Sequence, residues 1–354
     1  MLRSRKTDGG PPLERMTSLR IFWKSLCLAV GFLFALFPSC ILAALPQTLA
    51  KPPNSPSVSP DDKIFDRIGE LIRSRDYQQA ESLLAASIAH SPSPAQAYLR
   101  MGKLYFDQDE WARAGHHFES SLAVQDNDQA HLLLGLVDRE LQKPEQSEQE
   151  LVKAAGLNPR SDENLYFAGQ QLLLDKKFEA ALPYLYGAVR LNPRNSSACR
   201  ALGMTQFHLG NYGLAETYYR KAIDALGNSK PEDPRPFLDL AFILLLGHDP
   251  TKVEEGLKLA QHGAAIQPDS GGAHYLVGKA LMKMGRIKES VPELEFAARR
   301  NPEDSKAHFQ LALAYEALGE KDKAAAERQA LAQTKQRANQ QGMASGSLMP
   351  ETTP

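Results

Sequence analysis

AQAYLRMGKLYFDQDEWARAGHHF, Ala95–Phe118, places large and small side chains at intervals that recur along the rest of the chain. Numbered from Ala95, Tyr98 holds position four, Met101 and Gly102 positions seven and eight, Tyr105 position eleven, Ala114 position twenty and Phe118 position twenty-four. Gly102, Gly135, Gly169 and Gly203 repeat the glycine at steps of 33, 34 and 34 residues. Ala80, Ala114, Ala181 and Ala215 repeat the alanine, and Leu84, Phe118, Leu185, Tyr219 and Leu294 follow as the larger residue four places on. The tetrapeptide LNPR closes the period twice, at Leu157–Arg160 and Leu191–Arg194. A fixed period of this length marks an array of small units, none of which buries its apolar face alone.

The spacings resemble the tetratricopeptide repeat, whose pattern is W-x2-L-G-x2-Y, then A-x3-F, then P. Eight copies fit, starting at residues 61, 95, 128, 162, 196, 237, 271 and 305, and covering 61–338. The resemblance implies an all-α fold, an α-solenoid of helix-turn-helix units in a right-handed superhelix. The physics agrees with the residue types. Each copy makes two amphipathic helices, A and B, joined by turns such as GNYG (Gly210–Gly213) or DKKF (Asp175–Phe178). Small residues at positions eight and twenty let the helices approach, and bulky ones at four, eleven and twenty-four fill the gaps between copies. Proline at position thirty-two stops helix B. In LNPR the leucine is expected to pack inward and Asn-Pro to end the helix.

The sixth copy departs from the pattern. GNSKPEDPRP, Gly227–Pro236, lengthens the period by seven residues. Leu244 then stands in the glycine slot and Gly256 in the alanine slot. This predicts either a longer surface loop beside a worn repeat, or a kink dividing five repeats from three. The last copy ends in AAAERQALAQTKQRANQQ, polar as a capping helix should be.

Outside the repeats the composition changes. The chain has 354 residues, 43% hydrophobic and 23% charged, with a net charge of −1, which gives no overall attraction for nucleic acid. Residues 1–50 carry six basic and two acidic side chains, and the basic ones precede an uncharged run, Leu26–Leu45. This reads as a signal peptide or a membrane anchor. Cleavage fits small residues at Ala43, Ala44 and Thr48-Leu49-Ala50, and Met16 offers an alternative start. Either reading leaves the basic flank in the cytoplasm and exports the residues C-terminal to the run, giving an extracytoplasmic (periplasmic or secreted) chain. Membrane contact then runs through the N-terminal segment if it is not cleaved. Residues 51–60 belong to a Pro-rich linker and 339–354 to a disordered tail. Cys27 and Cys40 lie in the apolar run, so Cys199 is left alone and no disulfide framework is expected.

No catalytic motif is present: neither HExxH, a phosphate-binding glycine loop, GxSxG nor CxxC. No cofactor or metal is expected. His131, His274 and His308 each hold position four, a helix-packing slot, and His116 and His117 diverge by about 100° on a helix. Asn195-Ser196-Ser197 is a formal glycosylation sequon at a repeat boundary.

Function is therefore expected on a surface. In this family the A helices line a concave groove through positions two, five, nine and twelve. Carried onto this chain, the partner-binding candidates are Phe65, Leu99, Leu132, Tyr166, Arg200, Tyr275 and Phe309 at position five, with Phe106, Leu173, Phe207 and Met282 at position twelve. Their expected ligand is another protein or a peptide segment in the groove. Some relatives clamp a C-terminal carboxylate with lysine at position five and asparagine at nine. Position five has no lysine here, and position nine reads Gly69, Lys103, Leu136, Gln170, Met204, Leu245, Lys279 and Leu313, so that clamp is absent. The reading is a non-catalytic scaffold for envelope assembly or secretion. The alternatives are a recognition subunit of an enzyme complex and a cytoplasmic-facing membrane adaptor, the latter opposed by the basic flank.

Overall fold

The computed structural model describes residues 60–89, 91–227 and 233–344. The apolar run Leu26–Leu45, with its signal-or-anchor reading, lies outside these residues, as does most of the linker. Among the described residues there are sixteen helices and no strand. They form eight A–B pairs: α1 (Pro60–Arg73) with α2 (Tyr77–Ile88), α3 (Pro94–Phe106) with α4 (Trp111–Val124), α5 (Asp128–Glu140) with α6 (Pro144–Leu157), and α7 (Asp162–Leu174) with α8 (Phe178–Leu191). The remaining four are α9 (Ser196–His208) with α10 (Tyr212–Asp224), α11 (Arg235–Leu244) with α12 (Pro250–Ile266), α13 (Gly271–Lys283) with α14 (Ile287–Arg300), and α15 (Ser305–Ala317) with α16 (Lys321–Ala344). The expected α-solenoid of helix-turn-helix units is the fold. The final helix continues to Ala344, beyond residue 338. Among the described residues no helix is long and apolar enough to cross a membrane.

In five of the pairs a large residue of helix B presses on a bare glycine patch of helix A. A Cβ added to Gly169 would stand 2.6 Å from Leu185 Cγ, well inside van der Waals contact. The same encounter recurs between Gly135 and Leu151, and between Gly278 and Leu294. The partners Leu151, Leu185 and Leu294 are fully buried. Position twenty is equally closed: Ala80, Ala114, Ala181 and Ala215 have no exposed surface. Neighbouring pairs share their cores. Ala215 and Tyr219 of α10 cluster with Leu240, Ile243 and Leu244 of α11, so apolar packing crosses the inserted loop without a break.

LNPR has a different job from the one its leucine suggests. Leu157 and Leu191 are 46% and 42% exposed, not packed inward. They occupy the last turn of helix B, where no helix covers them. The asparagines carry the structure instead. Asn158 Nδ2 donates to Asp128 Oδ2 at 2.8 Å, and Asn192 Nδ2 to Asp162 Oδ2 at 2.9 Å. Each bond ties the end of helix B to the first residue of helix A in the same repeat. The helices end at Leu157 and Leu191, just ahead of the prolines.

The sixth pair is reversed rather than worn. Its helix A has 10 residues and its helix B 17. Leu244 fills the glycine slot and Ala260 the slot that elsewhere holds a large side chain, and both are buried. Gly256 on helix B lies beneath Leu245, whose Cγ would be 3.0 Å from an added Cβ. Large and small have exchanged helices, so the gap is still filled.

Candidate interaction surface

The residues expected on the binding face divide by burial. Phe65, Leu99, Phe106, Leu132, Tyr166 and Leu173, all in the first four repeats, are buried. The reason is local packing. The Arg100 guanidinium covers the Phe65 ring at 4.0 Å and is itself held by Asp62 at 2.9 Å. Phe106 meets the Trp111 ring edge-on at 5.1 Å. Tyr166 lies against Phe167, with ring centroids 5.0 Å apart, and its hydroxyl accepts from Gln170 Nε2 at 2.7 Å. These six side chains fill the stack and leave little surface to a ligand.

Arg200, Phe207, Tyr275 and Met282 are half-buried, and Phe309 is 48% exposed. Arg200 Nε donates to Asp239 Oδ2 at 2.5 Å across two successive A helices. Burial pushes the Asp239 carboxyl up, and Arg200 opposes that shift. Phe207 packs edge-on against Phe242 at 5.7 Å. Tyr275 and Phe309 come together: with Ser305, Lys306, Leu331 and Lys335 they line an open cleft of about 300 Å³. Tyr275 and Met282 also back onto the core beneath α15.

Charged side chains share these helices with the aromatic and apolar groups. Arg139 Nη1 donates to Gln170 Oε1 at 3.0 Å, continuing the chain that ends on Tyr166. Lys103 lies within the electrostatic reach of Glu163, two repeats on; burial lowers the lysine and raises the glutamate. Lys279 and Lys306 hold positions nine and two of their repeats, and that signal is legible in the sequence once every groove position is tabulated. The histidines at position four bridge helix A to helix B through glutamates, and Asn195 caps α9 by accepting from Ala198 N at 2.9 Å. Among the described residues no group of three or more His, Cys, Asp or Glu is placed to hold a metal ion.

Comparison with known proteins bears on the fold. No curated protein matches the sequence. Among solved structures, PilF of Pseudomonas aeruginosa aligns with a TM-score of 0.53 at 18% identity, over 60% of this chain and 94% of its own. A chain of the Cut9–Hcn1 hetero-tetramer of the APC/C aligns at 0.54 and 14% identity, over 72% of this chain and 49% of its own. The C-terminal part of a repeat protein from Cytophaga hutchinsonii aligns at 0.50 and 14%, over 70% and 99%. At these identities the likeness concerns architecture alone. Family models described as tetratricopeptide repeat match residues 71–137, 169–231 and 275–339. Proteins built of this repeat generally act as interaction scaffolds, typically without catalysis of their own. With eight helix pairs in the expected register, the chain belongs to the tetratricopeptide repeat family.

Proposed function

We propose that this protein is a non-catalytic scaffold that holds a segment of another protein along the face of its A helices. The observation that carries the reading is the half-open row Arg200, Phe207, Tyr275, Met282 and Phe309, which ends in the cleft between α13, α15 and α16. Most consecutive A helices touch one another, as α7 does α9 and α1 does α3, whereas consecutive B helices make no comparable contact among the described residues. In a curved stack the helices that converge are those on the inner side, which supports a groove on the A face. Exposed aromatic and apolar groups there suit an extended or helical ligand.

The setting proposed is outside the cytoplasm, in envelope assembly or secretion, with residues 26–45 as signal or anchor. Its support is the basic flank directly before an uncharged apolar run. A periplasm-active reporter fused after Ala50 tests the orientation, and an inactive reporter reverses it. For the groove, a photo-crosslinking residue at Phe309 should capture a partner that the same residue at Lys258, on α12, does not. Phe309→Ala, at a side chain that is about half exposed, should lower recovery of that partner while leaving the thermal transition in place. Equal capture from both positions defeats the groove reading.

A further inference from the structure

The A-helix face changes character along the stack. In its first six repeats four of its cations have acids beside them: Arg100 with Asp62, Arg200 with Asp239, Arg235 with Asp233, and Lys103 facing Glu163. In the last two repeats it carries Lys279 and Lys283 on α13, Lys306 on α15 and Lys335 on α16. Among the described residues no carboxylate reaches ion-pair distance of these four. The nearby acids are engaged elsewhere. Asp304 accepts from the Lys306 backbone N–H as the cap of α15, Glu316 pairs with Arg328, and Asp269 with Arg300.

The lysines form one cluster. Lys279 is half-buried, with Nζ 5.3 Å from the Phe242 ring centroid. Burial first, then the fields of Lys283 and Lys306, draw its ammonium below the usual lysine range. Lys306 and Lys335 line the same cleft as Tyr275 and Phe309. Beside it Leu313 is 38% exposed, one turn along α15 from Phe309. A partly desolvated cation without a counter-ion is costly, and an anion delivered by a ligand removes that cost.

We propose that α13, α15 and α16 seat an acidic peptide segment carrying a bulky apolar residue, its carboxylates against Lys279 and Lys306 and its apolar side chain against Tyr275 and Phe309. This rests on the scaffold reading and gives it a ligand chemistry. It differs from a lysine-asparagine clamp, because the lysines stand at positions two and nine.

The test uses the full chain and dye-labelled libraries of short peptides. One library mixes Asp and Glu with Leu and Phe; a second replaces each acid with its amide; a third replaces it with lysine. Fluorescence anisotropy should show binding by the acidic library, weakened as ionic strength rises. Lys279→Gln with Lys306→Gln should weaken it about tenfold. Lys258→Gln, on α12, should leave it unchanged. Equal binding by the amide library overturns acidic selectivity and leaves the scaffold reading intact. No binding by the acidic library overturns the inference outright, and the crosslinking experiment then decides the scaffold reading independently.

Discussion

His274 Nδ1 lies 2.6 Å from Glu293 Oε2, joining the two helices of the seventh repeat, and His308 meets Glu327 at the same distance in the eighth. His131 and Glu150 make the equivalent bridge in the third. Each histidine stands at position four and each glutamate at position twenty-three. The other ring nitrogen reaches back to the residue that closes the preceding repeat: Pro268 O at 2.9 Å, Pro302 O at 3.2 Å, or Asp126 Oδ1 at 2.6 Å. One ring thus ties helix A to its own helix B and to the repeat before. A double-mutant cycle on His274→Ala and Glu293→Ala, followed by urea denaturation, should give a coupling of about 1 kcal/mol. The His131→Ala change should cost more than His274→Ala, since the His131 side chain is 4% exposed and that of His274 20%. Additive losses at the seventh repeat would refute the bridge.

The turn from helix A to helix B makes a second prediction. In seven of the eight repeats its fifteenth residue has a left-handed backbone: Gly210, Gly285 and Gly319, but also Arg75, Asp109, Gln142 and Lys176, with φ near +60°. A side chain is strained there, and glycine is not. Gln142→Gly and Lys176→Gly should each stabilise the chain by about 0.5–1 kcal/mol, because the steric relief exceeds the added entropy of the unfolded state. Lys153→Gly, within α6, should destabilise by about 1 kcal/mol. Chemical denaturation compares the three, and a loss at Gln142 would contradict the turn geometry.

The period is legible because the closest contacts lie within one copy, where in five repeats a glycine at position eight meets the large residue at position twenty-four. What the sequence concealed involves either partners far apart or neighbours that differ. The reversal in the sixth repeat is half visible: Leu244 stands in the glycine slot, but the approach of Gly256 on helix B to Leu245 on helix A appears only in the structure. His131 and Glu150 are nineteen residues apart, and the pairing appears only when three copies are overlaid. Burial of Phe65, Leu132 and Tyr166 depends on how closely successive A helices approach, and no single period encodes that distance. Exposure of Leu157 and Leu191 has the same origin, since an apolar residue at a helix end is buried only if something covers it. The lysine cluster at the cleft assembles from α13, α15 and α16, so it too required the stack.

His117 makes the fold sensitive to acid. Its ring is 3% exposed, stacked on Tyr105 with centroids 5.4 Å apart; Nε2 lies 2.9 Å from Glu81 Oε1, and Nδ1 is buried without a partner. Burial holds its pKa below the usual histidine range, and the bond to Glu81 opposes this without cancelling it. As pH falls through about 6.5, the unfolded histidine gains a proton that the folded one refuses. Stability must therefore drop from that point down to the folded pKa, and be unaffected by this group at higher pH. His117→Phe should narrow the stability difference between about pH 7.5 and pH 5.5. An identical pH dependence in both proteins would mean that the ring titrates normally.

Gly169 and Leu185 test the packing on which the whole stack depends. A Cβ at Gly169 would meet Leu185 Cγ at 2.6 Å, Cδ2 at 2.7 Å and the Leu185 backbone nitrogen at 3.2 Å. The last contact matters most, because a rotamer change moves the side chain but not the backbone of α8. Alanine favours a helix over glycine by about 1 kcal/mol, whereas overpacking costs about 1–3 kcal/mol. The steric loss should win, leaving Gly169→Ala destabilised by about 1 kcal/mol, with Gly169→Val worse. Leu185→Ala alone should cost about 2–5 kcal/mol through the cavity it leaves. In the Gly169→Ala background that cost should shrink, since the new methyl occupies part of the space and no longer collides with leucine. Denaturation of the two single variants and the double gives the coupling directly. Strict additivity would mean that the helices can part to admit a methyl group, and the bare patch on helix A would then not govern how closely the pair approaches.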